Sequence, residues 1–287
     1  MDSGKIDLPS EHESVIDIQG VQLALGFPDE FQYEWIGQQD VMDQLLASWL
    51  VIDSKDIPLN PRLIGKPGVG KTTLAYAAAK KLNKPVYIYQ CTMDTRPEDL
   101  LITPVVDKKG GIRYVASSLV TAMIRGGVAI LDEANRMSEK SWASLAPLLD
   151  TRRYIESIVA GLKVKAHPEF RICVTMNDDA STYEIPEYIH SRLQPQIYLD
   201  FPEEEEEKRI LRENLPFLQE NILDYVIAFL QKAHQKNENY TIRDGINIAR
   251  YAAKRISSLK NKSVDTESLL RQAVLMTLGE EALPYLL

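Results

Sequence analysis

The sequence predicts an α/β domain with a five-stranded, mostly parallel sheet, followed by a smaller all-helical domain. Between about residues 60 and 200, short apolar runs alternate with helical patterns, as in a parallel sheet covered on both faces. Residues 65–72 read GKPGVGKT, a glycine-rich loop set between a strand pattern and an alanine-rich helix pattern. After Pro202 the strand signals stop and four helical patterns follow. A chain of 287 residues is long enough for two such units.

The strand candidates in order are Arg62–Ile64, Val86–Cys91, Val128–Leu131, Ile172–Met176 and Ile197–Phe201, each a short apolar run. The helical stretches between them are Thr72–Leu82, Ser118–Arg125 and Glu139–Leu149. The second unit reads as helices over Glu203–Leu215, Ile222–Lys236, Thr241–Ser257 and Thr266–Gly279. In the third of these, Ile242, Ile246, Ala249, Ala253 and Ile256 recur at helical spacing and predict one buried face. The run of five glutamates at 203–207 follows Pro202, a combination that favours a helix start because acids interact well with the N-terminal end of the dipole.

Composition sets limits on function. Apolar residues make up 45% and charged residues 26%, ordinary for a globular protein. The net charge of −8 disfavours a passive nucleic-acid binder. Residues 1–57 hold two basic side chains, Lys5 and Lys55, against twelve acids, so this stretch carries −10 and the rest +2. Residues 1–30 are therefore expected to be a solvated acidic tail or a contact for a basic partner. Cys91 and Cys173 exclude a disulfide scaffold and a cysteine-built zinc site, and their apolar surroundings predict buried, reduced thiols. The histidines, His12, His167, His190 and His234, form no metal-spaced pair. No signal peptide is recognisable and no apolar stretch reaches the ~18 residues that span a bilayer, so a cytoplasmic protein without membrane insertion is expected.

The loop at 65–72 fits the pattern G-x-x-x-x-G-K-[ST] at Gly65, Gly70, Lys71 and Thr72. Its glycines allow the backbone to wrap a phosphate with N–H groups, and the helix N-terminus adds partial positive charge. Lys71 would reach the β- and γ-phosphates, and Thr72 would ligate Mg²⁺. Gly65, Pro67, Gly68, Val69, Gly70, Lys71, Thr72 and Thr73 are the candidate nucleotide contacts. Residues 128–133 read VAILDE, an apolar strand ending in two acids. Asp132 could hold Mg²⁺, and Glu133 could polarise a water for attack on the γ-phosphate. The next strand ends in Asn177, whose amide could help to position that water or bond the γ-phosphate. Thr241 with Asp244 three residues on predicts a capped helix start. Arg243 then falls in the first turn, where the dipole disfavours a cation unless an anion waits nearby.

The order GKPGVGKT, VAILDEANR, VTMND, IPEYIHSRL resembles the AAA+ ATPases, and within them the MoxR-type branch, over roughly residues 34–287. The resemblance implies an acidic N-terminal segment at 1–33, an AAA+ α/β domain with two hairpin insertions at 34–201, and a helical lid at 202–287. WIGQQDVMDQLL (35–46) is similar to the segment that packs near adenine, which brings in Ile36 and Gly37. The stretch LITPVVDKKGGIRYV implies an insertion hairpin turned at Lys108-Lys109-Gly110-Gly111, its tip facing a ring pore, and YIESIVAGLKVKA (154–166) implies a second. Arg192, in HSRL, matches the arginine that reaches a neighbouring subunit's γ-phosphate, with Arg152 and Arg153 as further interface candidates. Arg243 matches the lid arginine. The implied activity is ATP hydrolysis with Mg²⁺ by a homo-oligomeric, hexameric ring that remodels or activates a protein substrate. A protein with a von Willebrand factor A domain is the implied partner. The alternatives are a DNA-acting AAA+ motor or loader, for which Lys108, Lys109, Arg113, Lys163 and Lys165 supply positive charge, and a monomeric phosphate-loop kinase or GTPase. No N-K-x-D guanine-reading motif occurs, which favours ATP.

Overall fold

The computed structural model describes residues 15–31, 35–106, 110–178, 184–236, 238–258 and 265–286. Their contacts divide into two compact units. One comprises residues 15–31, Met42–Ile64 and Leu74–Ile197; the other comprises residues 35–41, Gly65–Thr73 and Tyr198–Leu287. The phosphate loop and the segment around Ile36 thus cluster with the helical part, a division that sequence order alone does not suggest.

In the first unit, β1 (Val15–Ile18) and β2 (Val21–Ala24) form an antiparallel hairpin. Its turn residues, Gln19 and Gly20, both have left-handed φ, +55° and +84°, which matches the natural twist of paired strands. The Gly20 amide donates to Asp17 Oδ1 at 2.9 Å. The segment between the strands near residues 100 and 116 is also a hairpin, β5 (Ile102–Val106) paired antiparallel with β6 (Ile112–Ala116). β2 runs parallel to β6, Leu23 opposite Tyr114, which gives a four-stranded sheet in the order β1-β2-β6-β5. Leu23 and Leu25 are buried in the main core. Asp29 accepts a hydrogen bond from the Ile88 amide at 2.7 Å, and its own amide donates to the Val86 carbonyl. The expectation of a solvated tail through residue 30 therefore fails for residues 15–31. The acid at 17 sits on the outer face of a strand whose Ile16 and Ile18 pack inward, so a high acid count and a folded hairpin coexist. Residues 1–14 and the hairpin tip with Lys108 and Lys109 lie outside the described residues.

The central sheet has the order β11-β3-β10-β7-β4, built from β3 (Arg62–Gly65), β4 (Val86–Gln90), β7 (Val128–Asp132), β10 (Arg171–Asn177) and β11 (Gln196–Tyr198). β4 and β10 both pair parallel with β7. Every residue of β10 is buried, as expected of a strand covered on both faces. Among the helices, α1 (Gln39–Trp49), α2 (Lys71–Lys81), α3 (Pro97–Leu100) and α4 (Ser118–Arg125) precede β7. α4 begins where Ser117 accepts from the Val120 amide and ends at Gly126 in the left-handed region. α5 (Glu139–Leu145) stops four residues before its pattern ends, because Pro147 has no N–H to continue the helical hydrogen-bond ladder. The second expected hairpin is β8 (Tyr154–Ser157) with β9 (Leu162–Lys165), and α6 (Glu187–His190) follows β10. β11 is shorter than expected and does not reach Phe201.

In the second unit, α7 (Glu204–Asn214), α8 (Glu220–His234), α9 (Ile242–Ser258) and α10 (Thr266–Leu278) surround a core that includes Leu211, Phe229, Leu230, Ala249 and Ala273. The buried face of α9 is Ile242, Gly245, Ile248, Ala249 and Ala252. The predicted stripe is thus rotated: Ile246, Ala253 and Ile256 are only half-buried. At Gly245 an added Cβ would come within 2.8 Å of Leu230 Cδ1, so the absence of a side chain sets how closely α8 and α9 cross.

The glutamate run starts α7 and does more. Glu206 accepts from the amides of Glu203 and Gln38, and Glu207 is fully buried. Burial pushes the Glu207 carboxyl up to about 7; Gln231 Nε2 donates to it at 2.9 Å, which opposes that shift, and the nearby Glu204 charge adds to it. His234 Nδ1 lies 3.8 Å from the other carboxyl oxygen, and burial holds that imidazole below its usual range. A carboxyl whose pKa is raised on folding contributes stability that is lost as pH rises from the unfolded value through about 7. The shift corresponds to roughly 3 kcal/mol. His234, shifted down, acts in the opposite sense, losing stability as pH falls. Glu207→Gln is therefore expected to remove most of the stability loss between pH 5 and pH 8, read as melting temperature against pH; an unchanged profile would disprove it.

Candidate functional site

The first cluster lies wholly in the second unit. The loop from Gly65 to Lys71 carries Gly68 at φ +82° and Gly70 at φ +96°, conformations that side chains rarely adopt. An added Cβ at Gly68 would meet Thr241 at 2.7 Å, and one at Gly70 would meet the Trp35 ring at 2.9 Å. The loop can follow this path only as glycine. Lys71 is buried, and its ammonium donates to the carbonyls of Gly65 and Lys66, both at 2.8 Å, which fixes it inside the loop's curve. Trp35 Nε1 donates to the Gly37 carbonyl at 2.8 Å. Gly37 has φ +81°, and Gln38 bonds Glu206, so segment 35–38 is docked on the start of α7.

A cavity of about 320 Å³ opens here. Ile36, Gly68, Val69, Gly70, Thr73 and Arg243 line it, as do Trp35, Ile210 and Ile246. Pro67 is exposed on the loop's outside. Arg243 stands where the capped start of α9 puts it: Asp244 accepts from both the amide and the hydroxyl of Thr241, at 2.8 and 2.9 Å. Among the described residues Arg243 makes no ion pair. Glycines that a Cβ would clash with, a helix N-terminus, a buried ammonium and an unpaired guanidinium beside a cavity of small-molecule size together fit a nucleotide's phosphates. Behind the loop, Lys66 lies 4.7 Å over the Phe201 ring, which stacks on His234 at 4.0 Å.

The second cluster lies in the first unit, at the ends of β7 and β10. Thr175 bridges the two acids: its hydroxyl donates to Asp132 Oδ1 at 2.5 Å and accepts from the Glu133 amide at 2.9 Å. Glu133 is in the left-handed region, φ +53°, at a cost on the order of 1–3 kcal/mol. A short 3-10 turn, Ala134–Arg136, follows it. Asn177 Nδ2 donates to Glu133 Oε1 at 3.2 Å, and Arg136 Nε pairs with Oε2 at 2.7 Å. The buried Asn135 donates to the Asn177 carbonyl at 2.8 Å, which fixes the end of β10 against the turn. Asp132, Glu133 and Asn177 are therefore brought together. Thr175, Asn135 and Arg136 belong with them but were not singled out from the sequence. Thr175 carries a signal, since it is the hydroxyl residue two before Asn177 in the otherwise apolar run 172–176. Cys91 is buried beside this cluster, and Cys173 lies on β10. Burial first, then the nearby acids, pushes both thiols up, so neither is a nucleophile.

Arg192 lies in the first unit, and its described side-chain contacts are outside the acid cluster. Its guanidinium donates to the Tyr188 carbonyl, and its Nε lies 3.6 Å from Asp150 Oδ2. Asp150 also takes a bidentate grip from Arg152, which holds its carboxyl down at about 2. Arg153 does not join this patch. With φ +47° it turns inward, donates to the Phe170 carbonyl at 2.9 Å and lies over the Phe170 ring. Burial and the neighbouring Arg171 lower its pKa to about 10.

Residues 62–193 match the family described as AAA domain (dynein-related subfamily). The protein CbbQ of Hydrogenophilus thermoluteolus is 33% identical over 115 residues, which is 40% of this chain and 43% of that protein. The match thus spans less than half of this relative's length. An uncharacterized protein of Staphylococcus aureus is 26% identical over 179 residues, 61% of this chain and 68% of that one. Among solved structures, the RuvB Holliday junction branch migration motor of Thermotoga maritima superposes with a TM-score of 0.58, covering 86% of this chain and 72% of that chain at 17% identity, a likeness of fold.

Proposed function

We propose that this chain, a member of the AAA+ ATPases in their MoxR-type branch, hydrolyses ATP with Mg²⁺ in a homo-oligomeric ring and uses the cycle to remodel or activate a protein substrate. The observation that carries most weight is the acid cluster: a strained Glu133 beside Asp132, with Asn177 on one of its oxygens. A general base held in a costly backbone conformation by a buried polar network fits a catalytic role better than a structural one.

In this reading ATP·Mg²⁺, when bound, supplies the phosphoanhydride bond and the neutralising cation. The amides of Gly68 to Lys71 hold the phosphates, and the Lys71 ammonium stabilises charge on them. Thr72 and Asp132 offer hard oxygen donors to the metal. Glu133 takes a proton from the attacking water, Asn177 orients that water and the Glu133 carboxylate, and Arg243 contacts phosphate from the helical unit. Arg192 acts on the site of a neighbouring subunit. The hairpins β5–β6 and β8–β9 pass the cycle to the bound protein, and a protein with a von Willebrand factor A domain is the partner class by family likeness.

The test is phosphate release from ATP by the purified full chain with Mg²⁺ and with EDTA. Metal-dependent release that Lys71→Ala abolishes is expected. No release, or release that Lys71→Ala leaves intact, would sink the reading.

A further inference from the structure

We infer that Asn60 and Arg62 are positioning residues for Arg192, fixing the stretch of backbone from which its guanidinium reaches a neighbouring subunit. The inference rests on the trans role proposed above for Arg192 and names the part of the chain that aims it.

Arg192 follows α6, a helix of only four residues. A single turn does not hold its own shape in water, so other contacts must fix where it ends. Ile189 and Leu193 are buried in the core and anchor the segment. Apolar burial is non-directional, so it sets how deep the segment sits rather than where Arg192 points. The directional contacts come from the start of β3. Asn60 is buried, and its Nδ2 donates to the Arg192 carbonyl at 3.0 Å and to the Leu149 carbonyl at 2.8 Å. Arg62, the first residue of β3, is buried as well. Its Nη1 donates to Nδ1 of the exposed His190 at 2.7 Å, and its amide donates to the Pro195 carbonyl at 3.0 Å. The backbone is thus held before, at and after Arg192.

The two bonds from Asn60 have a specific geometry. Leu149 precedes Asp150, the carboxylate that Arg192 Nε meets at 3.6 Å. One amide group therefore ties together the two backbones that carry this loose pair. Both N–H groups face carbonyls, which can only accept, so Oδ1 points elsewhere. It is buried with no hydrogen-bond partner among the described residues. A buried, unsatisfied acceptor is unfavourable, and packing alone would not select it. Two donors on a short stem are what the two carbonyls require. The result is an arginine with a fixed base and a loosely held tip. A misplacement of about 1 Å can cost on the order of 10²-fold in rate, so loss of this grip is read in turnover rather than in ATP binding.

The test is steady-state ATP hydrolysis by the full chain, alone and mixed with Lys71→Ala subunits. Asn60→Leu, close in shape but donating nothing, is expected to lower kcat at least tenfold and to leave KM and ATP affinity unchanged. Lys71→Ala subunits have a disabled site but a correctly held arginine, so mixing should restore turnover at the intact sites of Asn60→Leu subunits. A fault in folding or in a subunit's own site is not restored in this way. In an Arg192→Ala background, Asn60→Leu should cost nothing further. His190→Ala removes the acceptor of Arg62 from an exposed position; it should lower kcat about threefold, with the same recovery, and it decides the matter if Asn60→Leu does not fold. Unchanged kcat in either variant, or a loss that mixing does not restore, would overturn the inference while leaving the role of Arg192 standing. Full turnover by Arg192→Ala would overturn that role, and this inference with it.

Discussion

Arg192→Ala is expected to keep ATP binding and to lose turnover by about 10³–10⁵-fold, the range for arginines that stabilise a phosphoryl-transfer transition state from outside the nucleotide's own site. Arg192 is the residue proposed for such a role. It follows a one-turn helix on the surface of the α/β unit, and its described side-chain partners are Asp150 and the carbonyl and ring of Tyr188. At 3.6 Å the contact with Asp150 is loose, and that carboxylate is already satisfied by Arg152. A guanidinium held this way can leave for a stronger anion. Mixing gives the decisive readout. Arg192→Ala subunits have intact sites but donate no arginine; Lys71→Ala subunits donate one but have a disabled site. If the arginine works in trans, mixed rings regain turnover that neither variant has alone. Full activity of Arg192→Ala, or no recovery on mixing, would reject the ring mechanism and favour a monomeric enzyme.

Glu133→Gln is expected to bind ATP normally and to hydrolyse it about 10²–10⁴-fold more slowly. The substitution keeps size and backbone, so the left-handed conformation and the contact with Asn177 can persist while the basic oxygen pair is lost. A matching fall in ATP affinity would point to a structural role instead. The same variant, held with ATP, should retain whatever the ring acts on. Recovery of a protein fits remodelling; recovery of nucleic acid alone would reverse that reading.

Much of this architecture is legible in the sequence, because the residues that make it also carry a local pattern. The strands near 62, 86, 128 and 172 are apolar runs, and α4 lies where its serine and glycine boundaries put it. The loop glycines and the pair Asp132–Glu133 announce themselves by order and spacing. Three features did not, each for a physical reason. The N-terminal hairpin hid behind its charge: VIDI-QG-VQLA alternates as a strand pair should, but the acids of residues 1–57 suggested a tail. On α9, Ile246 both packs against the helical core and lines the cavity, and periodicity cannot tell a cavity wall from a core. Arg152 and Arg153 are identical in sequence terms; a single left-handed φ sends one to the surface and the other beneath Phe170.

The pairing of β2 with β6 has a consequence for anyone who shortens this chain. Residues 21–24 seal one side of the insertion hairpin from some 90 positions away along the sequence. A protein begun at the phosphate-loop domain would keep its nucleotide motifs but leave β6 with a bare row of amides and carbonyls, next to the hollow that Leu23 and Leu25 now fill. Such an edge recruits other strands. Higher-order species formed by that protein would then reflect sticky edges rather than ring closure, and would be mistaken for native assembly unless their ATP dependence were examined.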